Sequence, residues 1–336
     1  MSASELHAAI ADFERRPPAP GSPWAQAEAE QDAPSWRSSE PLHVVDIHSF
    51  LCMDIPPREM VLSPWLPSQG LAMIYARRGA GKTYLALTIA YAVASGGAVL
   101  GWSAPKPRKV LYLDGEMLAA PLQERLAAIA ATSEKEPLPG MLNIITPDLQ
   151  KALMPDLATV GGQAALAAVT PADTRLIIVD SLSSLVRGEA RENDAESWQP
   201  VADWALSQRV AGRSVLFLHH AGKSGSQRGT SKREDLLDSV LALKPVADHS
   251  PHSGAKFEVC IEKSRALCPD FQPLECELRL AEGGGVAWQF RPVQESVADR
   301  IFDLFEAGMS KREIAEELGV NRSTVYRTLA RGKGER

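Results

Sequence analysis

GLAMIYARRGAGKTYLAL, residues 70–87, is the stretch that decides the fold. LAMIY at 71–75 is a short apolar run, and it ends in a Gly-rich turn. TYLALTIAYAVA at 83–94 follows and is apolar nearly all round, which predicts a buried helix. Strand, Gly-rich turn and helix form the context in which G-x-x-x-x-G-K-[ST] binds phosphate. The motif here departs from the pattern only at its first position, where Ala76 stands for Gly. That position therefore needs no positive φ. Gly79 and Gly81 let the backbone curl so that N–H groups point at a β-phosphate, and the helix adds its positive end. Lys82 offsets charge on the β- and γ-phosphates, and Thr83 ligates Mg²⁺. The expected nucleotide-binding stretch is Ala76, Arg77, Arg78, Gly79, Ala80, Gly81, Lys82, Thr83 and Tyr84. The expected cofactors are ATP and Mg²⁺.

Outward from this motif, KVLYLD (109–114), LNIIT (142–146), RLIIVD (175–180) and SVLFLH (214–219) are further apolar runs. Their length and β-branched content predict fully buried strands. Helical stretches near 117–131, 159–168 and 195–211 lie between them. The alternation predicts an α/β fold with a mostly parallel sheet covered on both faces. After residue 236, DSVLALK, KFEVCIEK, LECELRL and VAWQF read as an antiparallel extension, with Gly283, Gly284 and Gly285 turning the last hairpin.

Ligands bind at the carboxyl ends of parallel strands. Asp180 closes one such strand and can hold Mg²⁺ through water. Glu116 lies just past the end of 109–114, a strand expected close to the P-loop strand. A carboxylate there can polarise an attacking water, and Asp114 competes for that role. His219 and His220 end another strand, where an imidazole can sense the nucleotide state.

The flanks differ in character. Residues 4–16 could form a short helix, and 16–41 carry no apolar period, so 1–41 reads as a flexible arm and linker. Residues 42–293 form the ATPase domain. In 294–336, Ile301, Leu304 and Phe305 share one side of a helix. Ser310 and Glu313 make a capping box, Gly319 ends the second helix, and NRSTVYRTLARG supplies a third, which together form a helix-turn-helix. Asn321, Arg322, Ser323, Thr324 and Arg327 on this third helix can reach phosphates or base edges of duplex DNA. The segment AGKSGSQRGTSKRED carries Lys223, Arg228, Lys232 and Arg233, suited to the backbone of single-stranded DNA.

Net charge is −6, so any DNA-contacting surface is local. No apolar window reaches membrane length, and the first residues lack the layout of a secretory signal. Cys52, Cys260, Cys268 and Cys276 show no metal-binding spacing, which suits reduced thiols in a cytoplasmic protein. His249 and His252 read as part of a solvated loop.

The four strand-end pieces, in this order, resemble the RecA-type ATPase core. More narrowly, they resemble RepA-like replicative helicases of plasmids and their AAA-family relatives from mobile elements. The likeness covers about residues 55–265 and rests on GLAMIYARRGAGKTYLAL, KVLYLDGEM, RLIIVDSLSSL, VLFLHHAGKSG and RGTSKREDLLDS. It implies Glu116 as catalytic base, Asp180 as the Walker-B carboxylate and His220 as the γ-phosphate sensor. It further implies a homo-hexameric ring that hydrolyses ATP at subunit interfaces and passes single-stranded DNA through its centre. The arginine finger such a ring needs falls on Arg228, Arg233 or Arg265, with Arg265 beside Lys263 the first choice. The C-terminal stretch GMSKREIAEELGVNRSTVYRTL is similar to the tail of resolvase-type recombinases. That tail leaves a second function open: a DNA-binding ATP switch that does not translocate. A P-loop kinase is disfavoured, because no acceptor site or lid is visible.

Overall fold

The computed structural model describes residues 43–187, 195–221, 234–246, 254–265, 271–281 and 283–331. The chain divides into two compact units at Ile55/Pro56. In the first, α1 (Ile47–Cys52) is capped by Asp46, which accepts the N–H groups of His48 and Ser49 at 3.0 and 3.2 Å. The expected helix at 4–16 lies outside the described residues.

The second unit opens with a small hairpin, β1 (Met60–Leu62) and β2 (Leu66–Pro67). β3 (Leu71–Ala76) leads through the Gly-rich turn into α2 (Lys82–Ser95). A second small hairpin, β4 (Ala98–Val99) and β5 (Trp102–Ser103), precedes β6 (Lys109–Asp114) and α3 (Ala119–Ala130). Then come β7 (Leu142–Ile145), α4 (Val160–Val169), β8 (Thr174–Asp180) and the single-turn α5 (Leu182–Leu185). α6 (Ala195–Val210), β9 (Ser214–His220), β10 (Ser239–Pro245), β11 (Lys256–Ser264), β12 (Leu274–Leu280) and β13 (Val286–Pro292) follow. The chain ends in α7 (Val293–Glu306), α8 (Lys311–Glu317) and α9 (Arg322–Arg331).

Nine strands make one sheet, in the order β13-β12-β11-β10-β3-β9-β8-β6-β7. The six from β10 to β7 are parallel, and β11, β12 and β13 join antiparallel. The fold is therefore α/β, a mostly parallel sheet with an antiparallel extension and a helical tail. Alternation along the strands explains the layers. Ala72, Ile74, Val110, Tyr112, Ile178 and Leu216 face a core built on α2. Their neighbours Leu71, Met73, Leu111, Leu113, Ile177 and Phe217 face the other core, with Trp198, Val201 and Trp204 of α6. α2 lies against the first face and is buried along most of its length, as its all-round apolar sequence requires. Phe217 takes Trp198 and Trp204 edge-on, at centroid distances of 5.6 and 6.3 Å.

Four expectations need correction. β10 pairs parallel to β3, from Ser239↔Ala72 to Leu243↔Ala76, so the antiparallel extension begins only at β11. An apolar run buried on both faces carries no mark of strand direction. β7 is the sheet's edge and no residue in it is fully buried, because it has a neighbouring strand on one side only. β6 does not neighbour the P-loop strand: β9 and β8 stand between them. In the tail, Ile301 is fully buried, but Phe305 is 45% exposed because Phe302 and Leu304 turn toward the small core instead. The Ser310–Glu313 capping box forms as read, and Gly319 ends α8 with φ 61°. Gly283 and Gly284, with φ 87° and 86°, turn the β12–β13 hairpin.

Candidate active site

The carboxyl ends of β3, β9, β8 and β6 bring the chemistry together. After Ala76 the chain turns through Gly79 and Gly81, at φ 78° and 93°. Ala76 itself belongs to the strand, which is why Ala suffices there. Gly81 offers no capping side chain to α2, so the first N–H groups of the helix are left for an anion. A Cβ on Gly81 would stand 2.2 Å from the Cβ of Ala255, so close packing also demands glycine. Arg77, Arg78 and Gly79 are exposed, while Ala80, Thr83 and Tyr84 are half-buried. The guanidinium of Arg125 lies 4.7 Å over the Tyr84 ring.

Lys82 is buried. Its ammonium donates to the carbonyls of Ala76 and Arg77, at 3.1 Å each, and meets His220 Nδ1 at 3.1 Å. Burial pushes its pKa down to about 8, against the opposing pull of Asp180 and Glu116. Register places His220 opposite Ala76, which explains this contact. Burial, then the Lys82 charge, holds the His220 imidazole below its ordinary value. The ring is therefore neutral at pH 7. Its Nδ1 accepts from Lys82, so the proton sits on Nε2, 3.7 Å from Glu116 Oε1.

Asp180 ends β8 and is buried. Tyr112 donates to its Oδ2 at 2.8 Å, and the Thr83 hydroxyl lies near enough to favour the charged carboxylate. Burial raises its pKa to about 6, with the neighbouring Asp114 adding to the rise. Asp114 is buried too, and the same cause raises its carboxyl. Its Oδ1 accepts the N–H groups of Glu116 and Met117, at 2.8 Å each. Its Oδ2 has no hydrogen-bond partner among the described residues. Two buried carboxylates beside a threonine hydroxyl, one oxygen left over, suit a hydrated divalent cation. Thr83 and Asp180 are the residues that would hold it. Among the described residues no group of three His, Cys, Asp or Glu forms a cage, the usual condition for Mg²⁺ shared with phosphates.

Asp114 and Glu116 thereby separate in role. Asp114 spends one oxygen fixing the turn, whereas the Glu116 side chain is 50% exposed. Two residues that the sequence did not single out complete the site. Ser181 donates to Glu116 Oε1 at 2.5 Å, and Tyr112 orients Asp180. The SLSS following Asp180 was the only available sign of the former.

The other expected residues lie elsewhere. Lys223, Arg228, Lys232 and Arg233 fall outside the described residues. Arg265 donates to the Asp235 carbonyl of its own chain. It follows Ser264, which pairs with Ser239 at the amino end of the parallel strands, opposite the P-loop. In the tail, Asn321, Arg322, Ser323 and Arg327 are exposed and Thr324 is half-buried; the Asn321 carbonyl accepts the Thr324 N–H at 2.9 Å. Tyr326, also missed in the sequence, is exposed on the same helix with the Lys311 ammonium 4.3 Å from its ring centre.

Comparison with known proteins adds the following. Residues 36–226, more than half of the chain, match the family model described as an AAA domain. Residues 300–335 match that of a homeodomain-like domain. No curated protein sequence matches the chain. Among solved structures, a KaiC-like protein of Pyrococcus horikoshii superposes with a TM-score of 0.49 at 15% identity, covering 69% of this chain and 99% of its own. The RadB recombinase gives 0.43 at 16%, covering 65% and 90%. The flagellar accessory protein FlaH of Methanocaldococcus jannaschii gives 0.42 at 12%, covering 66% and 90%.

Proposed function

From the premise that this chain belongs to the AAA domain family of P-loop ATPases, we propose that it is an ATP-driven DNA motor of the RepA-like hexameric helicase kind. The observation that carries the hydrolytic half is the convergence of Lys82, Asp180, Glu116 and His220 at the carboxyl ends of the parallel strands. Thr83 and Asp180 would hold Mg²⁺, which would supply neutralisation of phosphate charge. Lys82 exchanges its two carbonyl partners for phosphate oxygens. Glu116, half exposed at the rim, takes the proton of the attacking water. His220 stands between the two, its Nδ1 hydrogen-bonded to the Lys82 ammonium and its Nε2 3.7 Å from the Glu116 carboxylate, so a change at the phosphates reaches the surroundings of the base.

The ring and its DNA follow from the resemblance and from two further features. Arg265 stands at the far end of the sheet from its own P-loop, so it can serve as a finger only for a neighbouring subunit's nucleotide. The 222–233 segment continues directly from the strand that carries His220, and its Lys223, Arg228, Lys232 and Arg233 suit a phosphate backbone. The tail favours a second reading. Asn321, Arg322, Ser323, Thr324, Arg327 and Tyr326 present a face fit for duplex DNA, as a non-translocating switch would need. In both readings the arm, the ATPase domain and the tail are separate parts.

One experiment separates them: ATP turnover without DNA, with single-stranded DNA and with duplex DNA, beside a strand-displacement assay. The motor gives turnover that rises with single-stranded DNA and displaces a strand, and Lys82→Ala abolishes both. Turnover indifferent to single strands, together with tight binding to one duplex sequence, would establish the switch instead.

A further inference from the structure

The backbone around Glu116 is fixed more firmly than its side chain. Asp114 Oδ1 accepts the N–H groups of residues 116 and 117, and the Gly115 N–H donates to the Asp180 carbonyl at 2.7 Å. Gly115 is packed so tightly on α5 that a Cβ there would lie 2.4 Å from Ser184 Oγ and 2.8 Å from Leu185 Cγ. The glutamate side chain is half exposed and has three rotatable bonds, so nothing in this turn fixes where its oxygens point. His220 Nε2, at 3.7 Å, is beyond hydrogen-bond reach. Among the described residues the glutamate's one short polar contact is the 2.5 Å bond from Ser181 Oγ.

Ser181 is itself held on every side. It is 1% exposed. Its N–H donates to Ser184 Oγ at 3.2 Å, and the Ser184 hydroxyl returns a bond to the Ser181 carbonyl at 2.9 Å. Its hydroxyl lies 2.8 Å from Ser183 Oγ. Since a hydroxyl has one proton, and the carboxylate can only accept, Ser181 gives its proton to Glu116 and takes that of Ser183. The three serines of SLSS thus have distinct tasks. Ser184 clamps the backbone of Ser181, Ser183 aims its hydroxyl, and that hydroxyl grips one glutamate oxygen.

We infer that Ser181 is a positioning residue for the catalytic base: by fixing Oε1 of Glu116 it leaves Oε2 turned toward the nucleotide cleft to accept the water's proton. The inference rests on Glu116 being the base. It places in the site a residue that touches neither nucleotide nor water. A carboxylate misplaced by about 1 Å loses up to about a hundredfold in rate.

The test compares the full-length Ser181→Ala, Ser181→Thr, Ser183→Ala and Glu116→Gln proteins in ATP turnover, with thermal unfolding measured beside it. Ser181→Ala should lower kcat about tenfold to a hundredfold while KM for ATP stays within about twofold. Ser181→Thr, which keeps the donor, should restore kcat. Ser183→Ala should lower kcat by a smaller factor and covers the case in which Ser181→Ala does not fold. A wild-type kcat in both alanine variants, with Glu116→Gln inactive, overturns the inference and leaves the base intact. An active Glu116→Gln overturns the base and the inference together. A loss in Ser181→Ala shared by KM and melting temperature, and not rescued by threonine, overturns it in favour of a packing role.

Discussion

At the scale of the residue, Asp180 sets function against stability. Its folded pKa of about 6 exceeds the ordinary carboxylate value of 3.8. Between those values the folded chain holds a proton that the unfolded chain releases. Stability therefore falls as pH rises through that window, and the loss is complete by pH 7. Two units correspond to about 3 kcal/mol as an order of magnitude. Asp180→Asn keeps the shape and removes the charge. Without nucleotide it should melt higher than wild type at pH 7, by several degrees, and the gain should vanish toward pH 4. The same variant should lose Mg²⁺-dependent ATP turnover; a scan of melting temperature against pH, beside a turnover assay, checks both. Lys82, Thr83, Asp180, Glu116 and His220 were all visible in the sequence, because each sits in or directly after an apolar run. Ser181 was not. Its partner lies 65 positions away, and no local pattern reports a contact between the ends of two strands.

At the scale of the element, the phosphate-binding turn is shaped from outside as well as from within. Ala255, just before β11, lies against Gly81, with Phe257 near it. Gly81→Ala meets both a φ of 93° and this neighbour. Nucleotide affinity should fall more than about tenfold and the melting point should drop, since strain and clash act together. Binding of a fluorescent ATP analogue checks the first, and a wild-type affinity would show that the turn yields freely. The motif told that glycine was needed; it could not tell that a strand more than 170 residues later was part of the reason. Strand direction was hidden likewise. VLAL in DSVLALK and LAMIYA are both unbroken apolar runs, and only pairing shows that both run the same way. LNIIT looks like its buried neighbours, yet it ends the sheet, because position in a sheet is a property of the other strands.

At the scale of the whole molecule, the tail is a small core of its own. Ile301, Ile314, Ala315, Val325 and Leu329 are its buried members. Ile301→Ala removes about 2–5 kcal/mol, which a core of this size cannot absorb. Duplex binding should be lost while DNA-independent ATP turnover persists, as gel shift and turnover on one preparation would show. Loss of turnover as well would mean that the tail supports the ATPase directly. The three helices and the Ser310–Glu313 capping box were legible in the sequence, through the change from strand alternation to a capped helical pattern. The strand that separates the P-loop from Asp180 has a mechanical consequence. β9 is zipped to β3 and β8 on its two sides, and neither register slips. Such a strand behaves as a stiff rod clamped along both edges. A pull at its far end, where the chain runs on past Ala221, cannot make it slide. It can only swing whatever stands at the tip, and the tip is His220.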